Sequence, residues 1–358
     1  MCKFKRYIAI IFTFLFFLTL TANSVEHNDV TARTLDVINN FSSEFRKPAE
    51  KLKPVTLDLK EGLYKNIFSG FNAGYEKLSR FEPLPVTFDS PESVKVPVIL
   101  YHHVTKKQGY GQNVISALML EKHLIALKNA GYSTVSAKEM IDYVYYGSPL
   151  PEKPLLITFD DGYLSNYELA YPLFKKYNMK ATFFAIGWAI GKKNYKDGDT
   201  EIIPHFNFAH AREMVSSGLI EVQSHTYDMH QSAELENAEI VRENVLKSEN
   251  ESIDQYRTAL HNDYKKMDKE LFNNVGYTTY AVAYPHGEYS EISEEVFSQL
   301  GAKITFSTRY TEENVLTQGD YESLRVLDRF TITESISPTQ LISLINSVYK
   351  DKQENYNE

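Results

Sequence analysis

From about Lys95 onward the chain alternates short apolar runs with amphipathic stretches, and the alternation predicts its architecture. Val96-Pro97-Val98-Ile99-Leu100-Tyr101 reads as a buried strand. Leu120, Leu124, Leu127 and Ala130 then recur at helical spacing, and Gly131 follows where a helix is expected to stop. A short strand at Ser133-Thr134-Val135, a helix over 137–146 and a second buried strand over 154–159 come next. The pattern continues with a helix over 167–177, a strand over 181–186, a helix over 209–217 and a strand over 219–223. A long helix from about 235 to 275, strands near 280–284 and 303–307, and a last helix over 338–349 complete it. Strands and helices alternating over about 250 residues predict a parallel α/β barrel, in which chemistry gathers at the C-terminal ends of the strands.

Ahead of this region the texture differs. Lys3, Lys5 and Arg6 precede an apolar run from Tyr7 to Ala22, and Ala22-Asn23-Ser24 offers small residues where a signal peptidase cuts. Residues 1–24 therefore read as a signal peptide. The run is shorter than the roughly 20 residues that span a bilayer comfortably, but a signal-anchor is the alternative. Residues 25–95 are polar and broken by Pro48, Pro54, Pro83, Pro85 and Pro91, and read as an N-terminal extension or stalk, with weakly periodic helices over 31–45 and 63–81. Residues 96–350 form the expected main domain. Both N-terminal readings place its work outside the cytoplasm, secreted or at the cell surface, with membrane or cell-wall association through the N-terminus.

Composition narrows the ligand without naming it. A hydrophobic content of 43% supplies a core without disulfides, and the only cysteine, Cys2, precedes the apolar run, so the exported part has no thiol chemistry. A net charge of −9 argues against nucleic acid, whose phosphates demand clustered Lys and Arg. The 25 Tyr and 21 Phe are compatible with stacking on sugar faces, although aromatics serve more often as core.

Polar motifs stand at the predicted strand ends. The strand Leu155-Leu156-Ile157-Thr158-Phe159 runs into Asp160-Asp161-Gly162. Adjacent carboxylates at the mouth of an apolar strand are costly unless a positive group neutralises one, and a metal ion does so; a solvated turn is the competing use of Asp-Asp-Gly. A second strand end supplies Ser224-His225-Thr226-Tyr227-Asp228-Met229-His230. Two imidazoles and one carboxylate, His225, His230 and Asp161, leave positions open for water and substrate, as a catalytic zinc site does. Single loop histidines more often only form hydrogen bonds, so it is the pairing with Asp160-Asp161 that points to a metal. At a third end, Ala283-Tyr284-Pro285-His286-Gly287, a tight turn can aim the N–H of His286 or Gly287 at an oxyanion, a plain β-turn being the alternative. A fourth, Tyr101-His102-His103-Val104, offers one histidine as a general acid and another as a supporting group.

At these residues the sequence resembles the polysaccharide deacetylases of carbohydrate esterase family 4, over about residues 96–345. Thr158-Phe159-Asp160-Asp161-Gly162 matches the family's T-F-D-D-G motif, and Ser224 to His230 its metal-histidine motif in a longer form. That spacing, the Tyr-His-His-Val start and Ala-Tyr-Pro-His-Gly are most similar to the branch of poly-β-1,6-N-acetylglucosamine deacetylases. The resemblance implies a distorted (β/α) barrel and removal of N-acetyl groups from an extracellular polysaccharide. It implies a divalent ion, zinc first, with nickel, cobalt, manganese and iron as alternatives, on Asp161, His225 and His230. Asp160 is then the general base and His102 the general acid, with His103 as runner-up; Tyr284 and His286 lie in the oxyanion or substrate-binding motif. The family's C-terminal Leu-x-His motif is not evident near residues 325–348, and its base-orienting arginine is missing from the third motif; Arg325 or Arg329 is a candidate substitute, with a surface charge beside a late strand the equal alternative. A peptidoglycan N-acetylglucosamine deacetylase, an O-deacetylase of xylan-type esters and a non-catalytic glycan-binding wall protein are the rival readings.

Overall fold

The computed structural model describes residues 86–347, apart from 109, 110, 112, 237 and 310–312. The expected export segment, most of the stalk with its two helices, and the end of the last helix lie outside the described residues. In chain order the elements are β1 (Ser93–Lys95), β2 (Val98–Tyr101), β3 (His103–Thr105), β4 (Val114–Ser116), α1 (Ala117–Asn129), β5 (Ser133–Val135), α2 (Ala137–Tyr146) and β6 (Pro154–Phe159). They continue with α3 (Tyr171–Tyr177), β7 (Ala181–Ala185), α4 (Phe208–Ser216), β8 (Ile220–Ser224), α5 (Ile253–Val275), β9 (Ala281–Ala283), α6 (Glu291–Leu300), β10 (Ile304–Phe306), β11 (Val315–Thr317), β12 (Phe330–Thr331) and α7 (Pro338–Ser347). Among the described residues no helix is long and apolar enough to cross a membrane.

The main sheet is parallel in the order β10-β9-β8-β7-β6-β2-β12, with β5 against the first half of β6. All six residues of β6 are buried, as a strand covered on both faces requires. Alternate side chains part company: Leu155, Ile157 and Phe159 join Leu120, Leu124 and Phe174 of the surrounding helices, whereas Leu156 joins Phe184, Ile304 and Phe306. Leu327, just ahead of β12, bridges Phe306 of β10, while Phe330 and Thr331 pair with Ile99 and Leu100 of β2. The curled sheet thus closes through residues 327–331, and the expected distorted (β/α) barrel is the observed fold.

One predicted element is shorter than expected. The long helix begins at Ile253 rather than near residue 235, with a capping box formed by Ser252 and Gln255. Residues 238–252 contain no Gly or Pro to warn of this. Specific tertiary bonds override their helical propensity: Arg242 pairs with Glu251, its N–H donates to Gln231 Oε1 at 2.7 Å, and the N–H of Ser248 donates to Glu251 at 2.8 Å.

Candidate active site

Asp160 prolongs β6, its N–H donating to Tyr101 O at 3.0 Å. It keeps the parity of Leu156 and Thr158 and so faces the barrel interior. Asp161 then takes a left-handed φ of 70° and Gly162 one of 80°; a Cβ on Gly162 would lie 2.9 Å from Ala185 Cβ. The turn therefore needs glycine there, and it brings both carboxylates to the mouth of the sheet.

Arg329 enters the interior from the closing segment, 1% exposed, with its guanidinium over the rings of Phe184 and Phe306. Its Nη1 and Nη2 each donate to one oxygen of Asp160 at 2.8 Å, and Nε donates to Ser307 O at 2.9 Å. Burial works to raise the Asp160 carboxyl, but Arg329, with His225 and His102, prevails and holds it below the ordinary carboxylate value. Asp160 is therefore ionised at neutral pH. Arg325, the other arginine named from the sequence, turns elsewhere: it bonds Glu294 on α6 at 2.7 Å and Ala302 O at 2.8 Å.

Asp161, His225 and His230 offer ligand atoms all within 4.8 Å of one another. His225 Nε2 and His230 Nε2 each lie 3.6 Å from Asp161 Oδ1. His225 Nδ1 stands 2.7 Å from the carbonyl of Ala283, which can only accept, so Nδ1 carries a proton and Nε2 is the ring atom turned to the cluster. Burial, reinforced by His225, pushes His230 down to about 4, so its ring is neutral at pH 7. The buried Asp161 Oδ1 has no hydrogen-bond partner. Despite burial, the three neighbouring histidines and a hydrogen bond from Tyr163 hold the Asp161 carboxyl at about 2. Two imidazoles and a carboxylate oxygen without a donor fit a divalent cation.

His102 follows β2 with Nδ1 buried and unpartnered. Burial lowers its pKa, while the charges of Asp161 and Asp160 oppose that fall. His103 is engaged elsewhere, its Nδ1 3.0 Å from Ser165 Oγ and its ring edge-on to Tyr163. His286 brings its ring to within 4.6 Å of that of His230, with a left-handed φ of 57°. Two expectations for this turn fail. Tyr284 is fully buried with its hydroxyl on Glu294 and its N–H on Phe306 O, because strand parity turns the side chain towards α6. The N–H of Gly287 is spent on Tyr284 O at 2.8 Å, so neither supplies an oxyanion donor. Sequence reasoning passed over Tyr163 and His205. His205 is buried, with its ring tilted against that of Tyr163, and feels the charge of Asp161; burial pushes its pKa down to about 4. Tyr163 stands two residues beyond Asp161, and a hydroxyl-bearing ring so near the motif was the available signal.

Residues 147–305 match the sequence family described as polysaccharide deacetylase. A Bacillus subtilis (strain 168) protein named as a polysaccharide deacetylase, YxkH, is 30% identical over 214 residues, which span 60% of this chain and 64% of that relative, short of two thirds of its length. A Staphylococcus aureus (strain MSSA476) poly-β-1,6-N-acetyl-D-glucosamine N-deacetylase is 26% identical over 67% of this chain and 82% of its own length. Among solved structures, a de-N-acetylase from Aggregatibacter actinomycetemcomitans superposes with a TM-score of 0.60 at 25% identity, covering 70% of this chain and 99% of that one. IcaB from Ammonifex degensii gives 0.56 at 26% identity, covering 70% and 97%.

Proposed function

We propose that the chain is a member of the polysaccharide deacetylase family, whose model matches residues 147–305, and that it is a metal-dependent hydrolase that removes N-acetyl groups from N-acetylglucosamine residues of an extracellular polysaccharide. The observation that carries the reading is the pairing of an Arg329-held, ionised Asp160 with the Asp161, His225 and His230 cluster beside it. Poly-β-1,6-N-acetylglucosamine is the proposed polymer, because relatives at 26–27% identity are named as N-deacetylases of that polymer.

In this reading Asp161, His225 and His230 hold the ion, zinc first, which when bound supplies a Lewis acid to the acetyl carbonyl and to water. Asp160 accepts the proton of the attacking water, its carboxylate kept ionised and oriented by Arg329. His102 gives a proton to the amide nitrogen as the C–N bond breaks, since an amide nitrogen leaves poorly without one. Acetate and the free amine result. The N–H of His286 is the remaining donor of its turn for the oxyanion. The export segment would deliver the enzyme to the cell surface or beyond.

Acetate release from poly-N-acetylglucosamine, abolished by a chelator and restored by zinc, tests the reaction; faster release from purified peptidoglycan would move the substrate to the wall polymer. Asp160→Asn is expected to keep its metal and lose most turnover, and His225→Ala to lose the metal. Equal metal loss in both variants would overturn the division of roles.

A further inference from the structure

The loop joining the two histidines, residues 226–229, is held in a conformation that it would not keep unaided. Thr226 has a φ of 63°, left-handed for a β-branched residue, a cost of about 1–3 kcal/mol that its surroundings must offset. On one side the N–H of Gly187 donates to Thr226 O at 3.0 Å and that of Trp188 to Tyr227 O at 2.9 Å. The fit is tight, since a Cβ on Gly187 would lie 2.5 Å from Tyr227 Cδ2. Within the loop, the N–H of Met229 donates to Thr226 Oγ1 at 3.2 Å.

On the other side stands Asp263, in the middle of α5 and outside every motif read from the sequence. One of its oxygens accepts the N–H of Tyr227 at 2.8 Å and the other that of Asp228 at 2.6 Å. A carboxylate is the side chain that offers two acceptors and no donor to two successive amides. The position is expensive for a charge: Asp263 is buried, and burial pushes its carboxyl up to about 6 against the pull of its two N–H donors. A buried acid on an amphipathic helix, with both oxygens spent on one loop, has that loop as its purpose.

We propose that Asp263 is a positioning residue for the metal centre, fixing the long loop between His225 and His230 so that both Nε2 atoms meet Asp161. The inference rests on the reading of Asp161, His225 and His230 as metal ligands. It explains how the longer histidine spacing is kept rigid: residues 226–229 have no regular structure, and the helix supplies the constraint that a shorter link would supply by itself.

Zinc affinity of the metal-free full chain, measured by competition with a chromophoric chelator, tests it, with the melting temperature of the metal-free protein measured alongside. Asp263→Asn keeps the volume but turns an amide donor towards a backbone donor. Its zinc dissociation constant is expected to rise about 10-fold or more, the range found when groups supporting metal ligands are removed. A purely structural staple would lower the melting temperature and leave the affinity of the folded protein unchanged; that result overturns the proposal. If the unaltered protein binds no divalent ion, the metal-centre reading itself fails. Should the variant not fold, hydrogen exchange of the unaltered metal-free protein still decides. Slow exchange at the Tyr227 and Asp228 amides is expected, and exchange at the rate of a free peptide overturns the role.

Discussion

Arg329 is an arginine almost wholly removed from water, tolerable only because both arms of its guanidinium meet Asp160. Removing one member of such a pair strands the other. Arg329→Ala is therefore expected to destabilise the protein by about 3–5 kcal/mol in urea unfolding, and to abolish most acetate release by letting the Asp160 carboxyl rise and swing. Arg329→Lys keeps the charge but cannot span two oxygens, so it should recover part of the stability and little of the turnover. An alanine variant as stable as the unaltered protein would show that this pair does not hold Asp160. Much of the candidate centre was legible in the sequence, since Asp160, Asp161, His225 and His102 stand within two residues of predicted strand ends and His230 lies in the loop after one of them. The choice between Arg325 and Arg329 was not. They flank one short stretch, and only the closure of the barrel through residues 327–331 turns Arg329 inward while Arg325 bonds to Glu294 of α6.

At the scale of elements, the turn after β9 shows how backbone shape outruns motif reading. His286 and Gly287 both have left-handed φ, 57° and 70°, and a Cβ on Gly287 would lie 2.2 Å from Thr308 Oγ1 and 2.6 Å from Thr308 N. Gly287→Ala thus meets two obstacles, the left-handed backbone and a neighbouring main chain that cannot yield as a flexible side chain would. A loss of about 2–4 kcal/mol is expected from strain and overpacking together, read as a lowered melting temperature of the metal-free protein. Unchanged melting would mean that the turn can relax, and that His286 is not rigidly set beside His230. The sequence announced a tight turn here, but not that strand parity would bury Tyr284 against α6. Nor did it announce the late start of α5. The alternation of strands and helices was legible because apolar periodicity records burial; the irregular segment over 238–252 was not, because its shape depends on pairs such as Arg242 and Glu251 that no local pattern reveals.

For the whole molecule, the question is where the barrel begins. Periodicity set the border at residue 96, yet the ten residues before it are bound into the fold. The ladder of β1 against β11 pairs Ser93 with Thr317 and Lys95 with Val315. Glu92 O accepts the Tyr143 hydroxyl at 2.9 Å and the N–H of Gln318 at 3.0 Å, and the N–H of Val86 donates to Tyr145 O at 3.1 Å. Phe88 lies so close over Gly147 that a Cβ there would be 2.8 Å from its ring. We propose a catalytic unit that starts near residue 84, with the preceding stalk separable from it. A protein spanning 84–358 should then release acetate at the rate of the chain lacking only residues 1–24 and melt at nearly the same temperature. One spanning 96–358 loses the β1 ladder and the bonds to Glu92 and Val86, each worth about 0.5–1.5 kcal/mol net, and uncovers Leu316 and the ring-facing side of Gly147. Its unfolding free energy should fall by several of these increments. Because none of the described residues among those lost, 86–95, bonds to Asp160, Asp161, His225 or His230, the fraction that remains folded should keep its turnover. Equal stability of the two fragments would return the border to residue 96, whereas a 96–358 protein that is folded but inactive would mean that residues 84–95 act on the site itself.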